Sequence, residues 1–249
     1  MTSTSSVASQ AAIVVKLSSA EGGADQANLR AALLRRLVED RLPATWVARD
    51  ASQCSLLHQA INRCPGSDAG LEIASPNARA ASEPLSDLQW AQAARQSAQL
   101  RSAGLNDAVV VVSHVDLLAG RENGLTQLGV RAVVVEAARQ ESVRALTPGL
   151  WAFAVAEKIP SPRFFLGGMG AKTRRVLLQH QGDVATLIID LDQIPGPESR
   201  AWKQLQRSLD AIAWSVSNGE VVVATVGHIA NAREGRLVGQ PQRSILKAA

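Results

Sequence analysis

The run "AVVVVSH", residues 108–114, is the strongest strand signal in the chain, and its reading decides the fold. Four consecutive valines leave no alternate polar position, so a strand built on them has no face to offer water. Their β-branched side chains favour extended backbone. A strand buried on both faces belongs to a parallel sheet covered by helices, because antiparallel sheets commonly keep one wet face and alternate accordingly.

The same type of run recurs on either side. Upstream lie "AAIVVKL" (11–17), "ATWVAR" (44–49) and "AGLEIA" (69–74); downstream lie "RAVVVE" (131–136), "GLWAFAVAE" (149–157), "VATLIIDLDQI" (184–194) and "EVVVATVGHIAN" (220–231). Helical stretches alternate with them. Residues 24–41 place Leu29, Leu33, Leu34 and Leu37 on one face at helical spacing. Residues 52–63 form a second helix stopped by Pro65 and Gly66, and 86–104 a third with Ser86 as N-cap and Gly104 as its stop. Residues 199–219 form a long helix closed by Asn218 and Gly219. Seven or eight such units without a glycine fingerprint predict a single α/β domain built as a (β/α) barrel over 11–232. The Ser/Thr-rich residues 1–10 are expected to be disordered and 233–249 to form a weakly ordered basic tail. The segment 158–182 breaks the rhythm. Gly167, Gly168 and Gly170 with Lys172, Arg174 and Arg175 meet neither phosphate-loop nor dinucleotide spacing, so it reads as a flexible loop or short β-hairpin beside the main fold.

Composition narrows the partners. Five Trp, three Phe and no Tyr in 249 residues leave few stacking platforms for bases. The excess of 26 Lys and Arg over 22 Asp and Glu is mild and spread along the chain, so nucleic acid is not an expected partner. Cys54 and Cys64, about 15 Å apart if the segment between them is helical, are too far apart for a disulfide and read as reduced. The first ten residues carry neither a basic region nor an apolar run, and no run approaches the length of a membrane span. A cytoplasmic protein without a membrane partner is the expectation.

Several of these segments, in this order, resemble the polysaccharide deacetylase (NodB-like) family. "RLPATWVARDAS" is similar to the family's second strand, and "AGLEIASPNARAASEPLSDLQWAQAARQSAQLRSAG" to the strand, histidine loop and helix that follow. "LTQLGVRAVVV", "TLIIDLDQI" and "GEVVVATVGHIAN" resemble its later helix end, closing strand and final stretch. The resemblance covers roughly 11–232 and implies a distorted (β/α) barrel of the glycoside hydrolase/deacetylase type, with a metal-dependent site at the C-terminal ends of the strands.

The functional motifs depart from that pattern. Where the family carries Thr-Phe-Asp-Asp-Gly, with one Asp as base and the next as metal ligand, this chain reads Lys16, Leu17, Ser18 and Ser19. A neutral hydroxyl neither takes a proton from a metal-bound water near neutral pH nor anchors a divalent transition metal well. The family's paired histidines fall on Pro76 and Ala80, its Arg-Pro-Pro motif near Val111 to His114, and its late histidine on Asp190. With the ligands replaced together, no divalent metal or other cofactor is expected, and the resemblance implies a degenerate, non-catalytic domain of carbohydrate metabolism that binds a glycan, a nucleotide sugar or a protein partner.

The alternative is a carbohydrate deacetylase or hydrolase of carbon–nitrogen bonds with a non-standard site. Its candidate catalytic residues are His114, at the end of the Val-rich strand, and Asp190 and Asp192, ending another. His58 reads as a surface or half-buried helix residue, His180 falls in the irregular segment and His228 reads as a capping or packing residue; no pair of histidines has zinc-site spacing.

Overall fold

The structure, a computed structural model, describes residues 8–18, 23–74, 83–106, 108–137, 142–161, 169–180 and 182–239. Among these lie nine strands: β1 (Ser9–Lys16), β2 (Thr45–Ala48), β3 (Asp68–Ile73), β4 (Val109–Val112), β5 (Ala132–Val135), β6 (Val143–Thr147), β7 (Leu150–Ile159), β8 (Val184–Asp190) and β9 (Val221–Val223). The helices are α1 (Ala24–Glu39), α2 (Cys54–Arg63), α3 (Asp87–Ser102), α4 (Glu122–Gln127), α5 (Met169–Gln179), α6 (Arg200–Ser217) and α7 (Val226–Gly239).

Seven strands form a closed parallel ring in the order β1, β2, β3, β4, β5, β7, β8 and back to β1. The chain therefore has the NodB-like (β/α) barrel architecture. β1 is shared at its two ends: Val14–Lys16 pair with β2, whereas Ser9–Ala11 pair with the short β9. β6 lies off the ring, antiparallel to β7.

Strand alternation sorts the core into layers. Ala12, Val14, Val47, Val109, Val111, Ala132, Val134, Phe153, Val184 and Ile188 form the barrel's interior. Their neighbours on β1, β2 and β8, among them Ile13, Val15, Trp46, Leu187 and Ile189, pack outward with Leu33 and Leu37 of α1 and Leu205 and Leu209 of α6. Val110, Val112, Val133 and Val135 pack outward with Ala93 of α3 and Leu125 of α4. The Val-rich run is thus buried on both faces.

The N-terminal end of α7 plugs the bottom of the barrel with Val226, Ile229 and Ala230. Its first amides are received by barrel side chains: Val226 N–H donates to Thr45 Oγ1 at 3.1 Å and Gly227 N–H to Asp68 Oδ2 at 3.2 Å. A Cβ on Gly227 would meet that oxygen at 2.6 Å, so the approach requires glycine. Burial pushes the Asp68 carboxyl up from its ordinary range, against the opposing pull of hydrogen bonds from Thr45, Thr225 and Gly227.

Local capping agrees with the sequence. Ser86 accepts from Gln89 N–H in a capping box, Ser199 caps α6 through Trp202 N–H, and Gly104 and Gly219 adopt the left-handed conformation after α3 and α6.

Three expectations need correction. β1 begins at Ser9, inside the stretch expected to be disordered, because its first residues find a parallel partner in β9. The 158–182 segment is not a loop or hairpin throughout: Lys158 and Ile159 continue β7, and 169–179 is α5, whose Met169, Thr173 and Leu177 are buried at four-residue spacing beneath a basic exterior. Residues 162–168, with Gly167 and Gly168, lie outside the described residues. The run over 220–231 is a strand over Val221–Val223 and a helix from Val226, beside the strand-to-helix turn expected at Gly227 and His228, and α7 continues to Gly239, past the expected start of the tail. Cys54 and Cys64 are free, as expected. Among the described residues no helix is long and apolar enough to cross a membrane.

Candidate functional site

The inward-facing rows of the strands change character at their C-terminal ends. Ala12 and Val14 are followed by Lys16, Thr45 and Val47 by Arg49, Gly70 by Glu72, Val109 and Val111 by Ser113, Ala132 and Val134 by Glu136, and Ile188 by Asp190. β7 reaches the same layer through a register shift between Val155 and Glu157, which sets Lys158 beside Ile188 on the inward side. A charged layer therefore crosses the barrel mouth, where (β/α) barrels carry their sites.

Its centre is Lys16, 5% exposed, whose Nζ lies 2.6 Å from Glu72 Oε1, 2.6 Å from Glu136 Oε1 and 3.9 Å from Asp190 Oδ2. Lys158 Nζ holds the other Glu136 oxygen at 2.6 Å. On the opposite flank Arg49 Nη2 reaches Asp192 Oδ2 at 2.8 Å and Asp190 Oδ1 at 3.2 Å. Arg49 Nε lies 3.2 Å from Glu72 Oε2, yet that oxygen has no hydrogen-bond partner among the described residues. The single Nε–H is directed at Leu17 C=O instead, so Glu72 Oε2 feels the guanidinium only as a neighbouring charge. Ser18 Oγ donates to Asp192 Oδ1 at 2.7 Å, while Gln53 Nε2 donates to Ser18 C=O and Gln53 Oε1 accepts from Arg49 N–H.

These contacts fix the protonation states. Burial alone would lower the Lys16 ammonium, but Glu72 and Glu136 outweigh it and hold Lys16 above its ordinary value. Burial would raise Glu136, and the hydrogen bonds from Lys158 and Lys16 outweigh it and hold the carboxyl below its ordinary range. Both are charged at neutral pH. A lysine held protonated is neither nucleophile nor base there, and a carboxylate held well ionised is a weak one.

Of the candidates drawn from sequence, Asp190, Asp192 and Ser18 come together around Arg49. His114 does not join Asp190, whose side-chain partners are Arg49, Lys16, Gln193 and the Asp192 amide. β4 stands three strands from β8 around the ring, and Ser113 takes the inward position there, leaving His114 to follow on the alternate side. Ser19, Pro76 and Ala80 lie outside the described residues. Sequence reasoning missed Lys16 as a site group, and with it Arg49, Glu72, Glu136 and Lys158. The available signal was a charged residue closing each apolar run on the inward parity, as in "AAIVVK", "TWVAR" and "AVVVE".

Beside Arg49 and Glu72 a cleft of about 340 Å³ opens toward α3, walled by Ile73 and by Gln89, Gln92 and Gln96. Among the described residues no group of three or more His, Cys, Asp or Glu side chains is placed to hold a metal ion.

No family model and no curated protein matches the chain. Solved structures do. A protein of Mycobacterium smegmatis described as a polysaccharide deacetylase superposes with a TM-score of 0.64 at 12% identity, covering 95% of this chain and 94% of that one. Puue allantoinase gives 0.60 at 10% identity, with 92% and 91% covered. The Xyl-CE4 domain of a multidomain xylanase from the hindgut metagenome of Trinervitermes trinervoides gives 0.55 at 8%, with 91% and 92% covered. At such identities the likeness is one of fold.

Proposed function

We propose that this chain, which has the barrel fold of the polysaccharide deacetylases, is a non-catalytic binding module of carbohydrate metabolism whose ligand is a glycan or nucleotide sugar. The observation that carries the reading is the Lys16–Glu72–Glu136 lattice: the charged side chains at the mouth are spent on one another, with Lys16 held protonated and Glu136 ionised. The donor chemistry supports it. The motif positions offer the Ser18 hydroxyl, already donated to Asp192, and the Ser19 hydroxyl, together with proline and alanine at 76 and 80, which carry no side-chain donor atoms. That set does not fit a catalytic Zn²⁺, which wants three nitrogen, sulfur or carboxylate ligands and an open position. We therefore derive no step through a metal. The cleft beside Arg49 and Glu72, with the Gln89, Gln92 and Gln96 amides on one wall, suits a hydroxyl-rich ligand held by hydrogen bonds.

The test pairs two measurements on the purified chain: calorimetric titration with N-acetylated oligosaccharides and UDP-N-acetylglucosamine, and an acetate-release assay on the same compounds with Zn²⁺ or Co²⁺ added. Saturable binding without acetate release is the expected result. Metal-dependent release of acetate overturns the reading and favours a deacetylase with a non-standard site, for which the convergence of Asp190 and Asp192 on Arg49 is the specific observation.

A further inference from the structure

On the outer face of the barrel, α1 and α2 leave between them an open cavity of about 170 Å³. Ala27 and Ala31, one turn apart on α1, and Ala60 on α2 border it. Ala27 and Ala31 are themselves exposed, so the space opens to solvent, and their methyl groups are too short to close it. Leu17, Leu34, Trp46 and Leu56 complete the apolar lining; Trp46 is 1% exposed and its indole N–H has no hydrogen-bond partner among the described residues.

Charge gives the space a preference. Arg30 of α1 and Arg63 of α2 line the cavity, and neither is ion-paired with a described carboxylate. Arg36, further along α1, is by contrast held by Asp40 and Asp210. Two arginines with no ion-pair partner among the described residues, beside an apolar cavity, select an anion with an apolar body, and the planar fork favours a carboxylate. Size sets the rest: an enclosed apolar cavity of about 150 Å³ accepts benzene, and this open one, of about 170 Å³, has room for a body no larger than one ring or a short branched chain.

We propose that the α1–α2 cavity is a binding site for a small apolar carboxylate, a monocyclic aromatic acid such as benzoate or a short branched acid such as 3-methylbutanoate. The apolar body lies over the Leu17, Leu34, Trp46 and Leu56 lining, and the carboxylate is taken by Arg30 and Arg63. The site does not depend on the function of the barrel mouth.

Titration of the full chain with benzoate, followed on the indole N–H resonances of its five tryptophans, tests it. The Trp46 resonance is identified by its loss in Trp46→Phe. A saturable shift of that resonance is expected, with affinity reduced about tenfold or more in Arg30→Gln/Arg63→Gln, as loss of a charge-assisted contact implies. Benzyl alcohol, which keeps the ring and lacks the charge, is expected to bind correspondingly less well. Ala31→Leu, which fills the space, should abolish the shift; if that variant does not fold, the arginine pair at the rim decides. The proposal is overturned if neither benzoate nor 3-methylbutanoate gives a saturable shift at millimolar concentration, or if the shift is the same in the arginine variant or with benzyl alcohol.

Discussion

Lys16 Nζ and Glu136 Oε1 stand 2.6 Å apart across the barrel mouth, although 120 residues separate them in the chain. β1 and β5 are not neighbours in the ring, so the pair bridges the barrel rather than lacing adjacent strands. The ammonium also holds Glu72 of β3, and one buried cation thereby ties three strands together.

Removing that cation leaves Glu72 and Glu136 facing each other without it. Lys16→Met is therefore expected to destabilise the fold by about 3 to 5 kcal/mol, the range for breaking one partner out of a buried ion pair. Lys16→Met/Glu136→Gln should recover part of the loss, because one of the stranded charges is gone. Urea denaturation with an unchanged m-value reads both. A loss below about 1 kcal/mol in the single variant, the size of a surface pair, would show that water screens the lattice.

The two ends of the pair set opposite pH limits. Glu136 has a depressed folded value, so its contribution is present above its ordinary value of 4.5 and disappears as pH falls through the lower folded one. Lys16 has a raised folded value; its contribution is complete below 10.5 and disappears as pH rises through the higher folded one. Glu136→Gln should flatten the acid limb of the stability profile. An acid limb as steep as the wild type would count against the assignment.

At the other end of the barrel the sign is reversed. Asp68 has a raised folded value, so its ionisation equilibrium favours folding fully below 3.8 and progressively less as pH rises through the raised value. Asp68→Asn retains an acceptor for Gly227 N–H and sheds the buried charge. It should be at least as stable as the wild type at pH 7 and less stable relative to it at pH 3. Gly227→Ala, which brings a methyl to 2.6 Å from the same carboxylate oxygen, should cost about 1 to 3 kcal/mol. Thermal unfolding of both variants at the two pH values separates charge from space.

Metal gives an independent check on the mouth. A specific divalent site raises folding stability by about 4 kcal/mol at a thousand times its dissociation constant. Zn²⁺, Co²⁺ or a chelator is expected to leave the melting temperature of this chain where it was. A concentration-dependent rise with Zn²⁺ that is lost in Asp190→Asn would contradict the donor analysis.

The barrel was legible in the sequence because its strands announce themselves one at a time. Val109 to Val112, buried on both faces, require a covered parallel strand wherever they sit, and Ser86 or Gly104 bound a helix through contacts made within a few residues. α5 was obscured because its buried positions, Met169, Thr173 and Leu177, are interleaved with basic residues and include only two strongly apolar side chains. His114 looked like a site residue because it ends a strand, yet the inward position there belongs to Ser113.

Sequence alone determined the alternation of buried strands and helices, the lack of donor atoms at positions 76 and 80, and the local caps, since each follows from residue type or from neighbours close in the chain. Tertiary structure decided that Lys16, Arg49, Glu72, Glu136, Lys158 and Asp190 form one layer. Each looks like an ordinary charged residue at the end of its own strand. Only ring closure, with inward parity preserved and β7 shifted by its irregular register, makes them neighbours, and burial then turns separate surface charges into one mutually neutralising lattice.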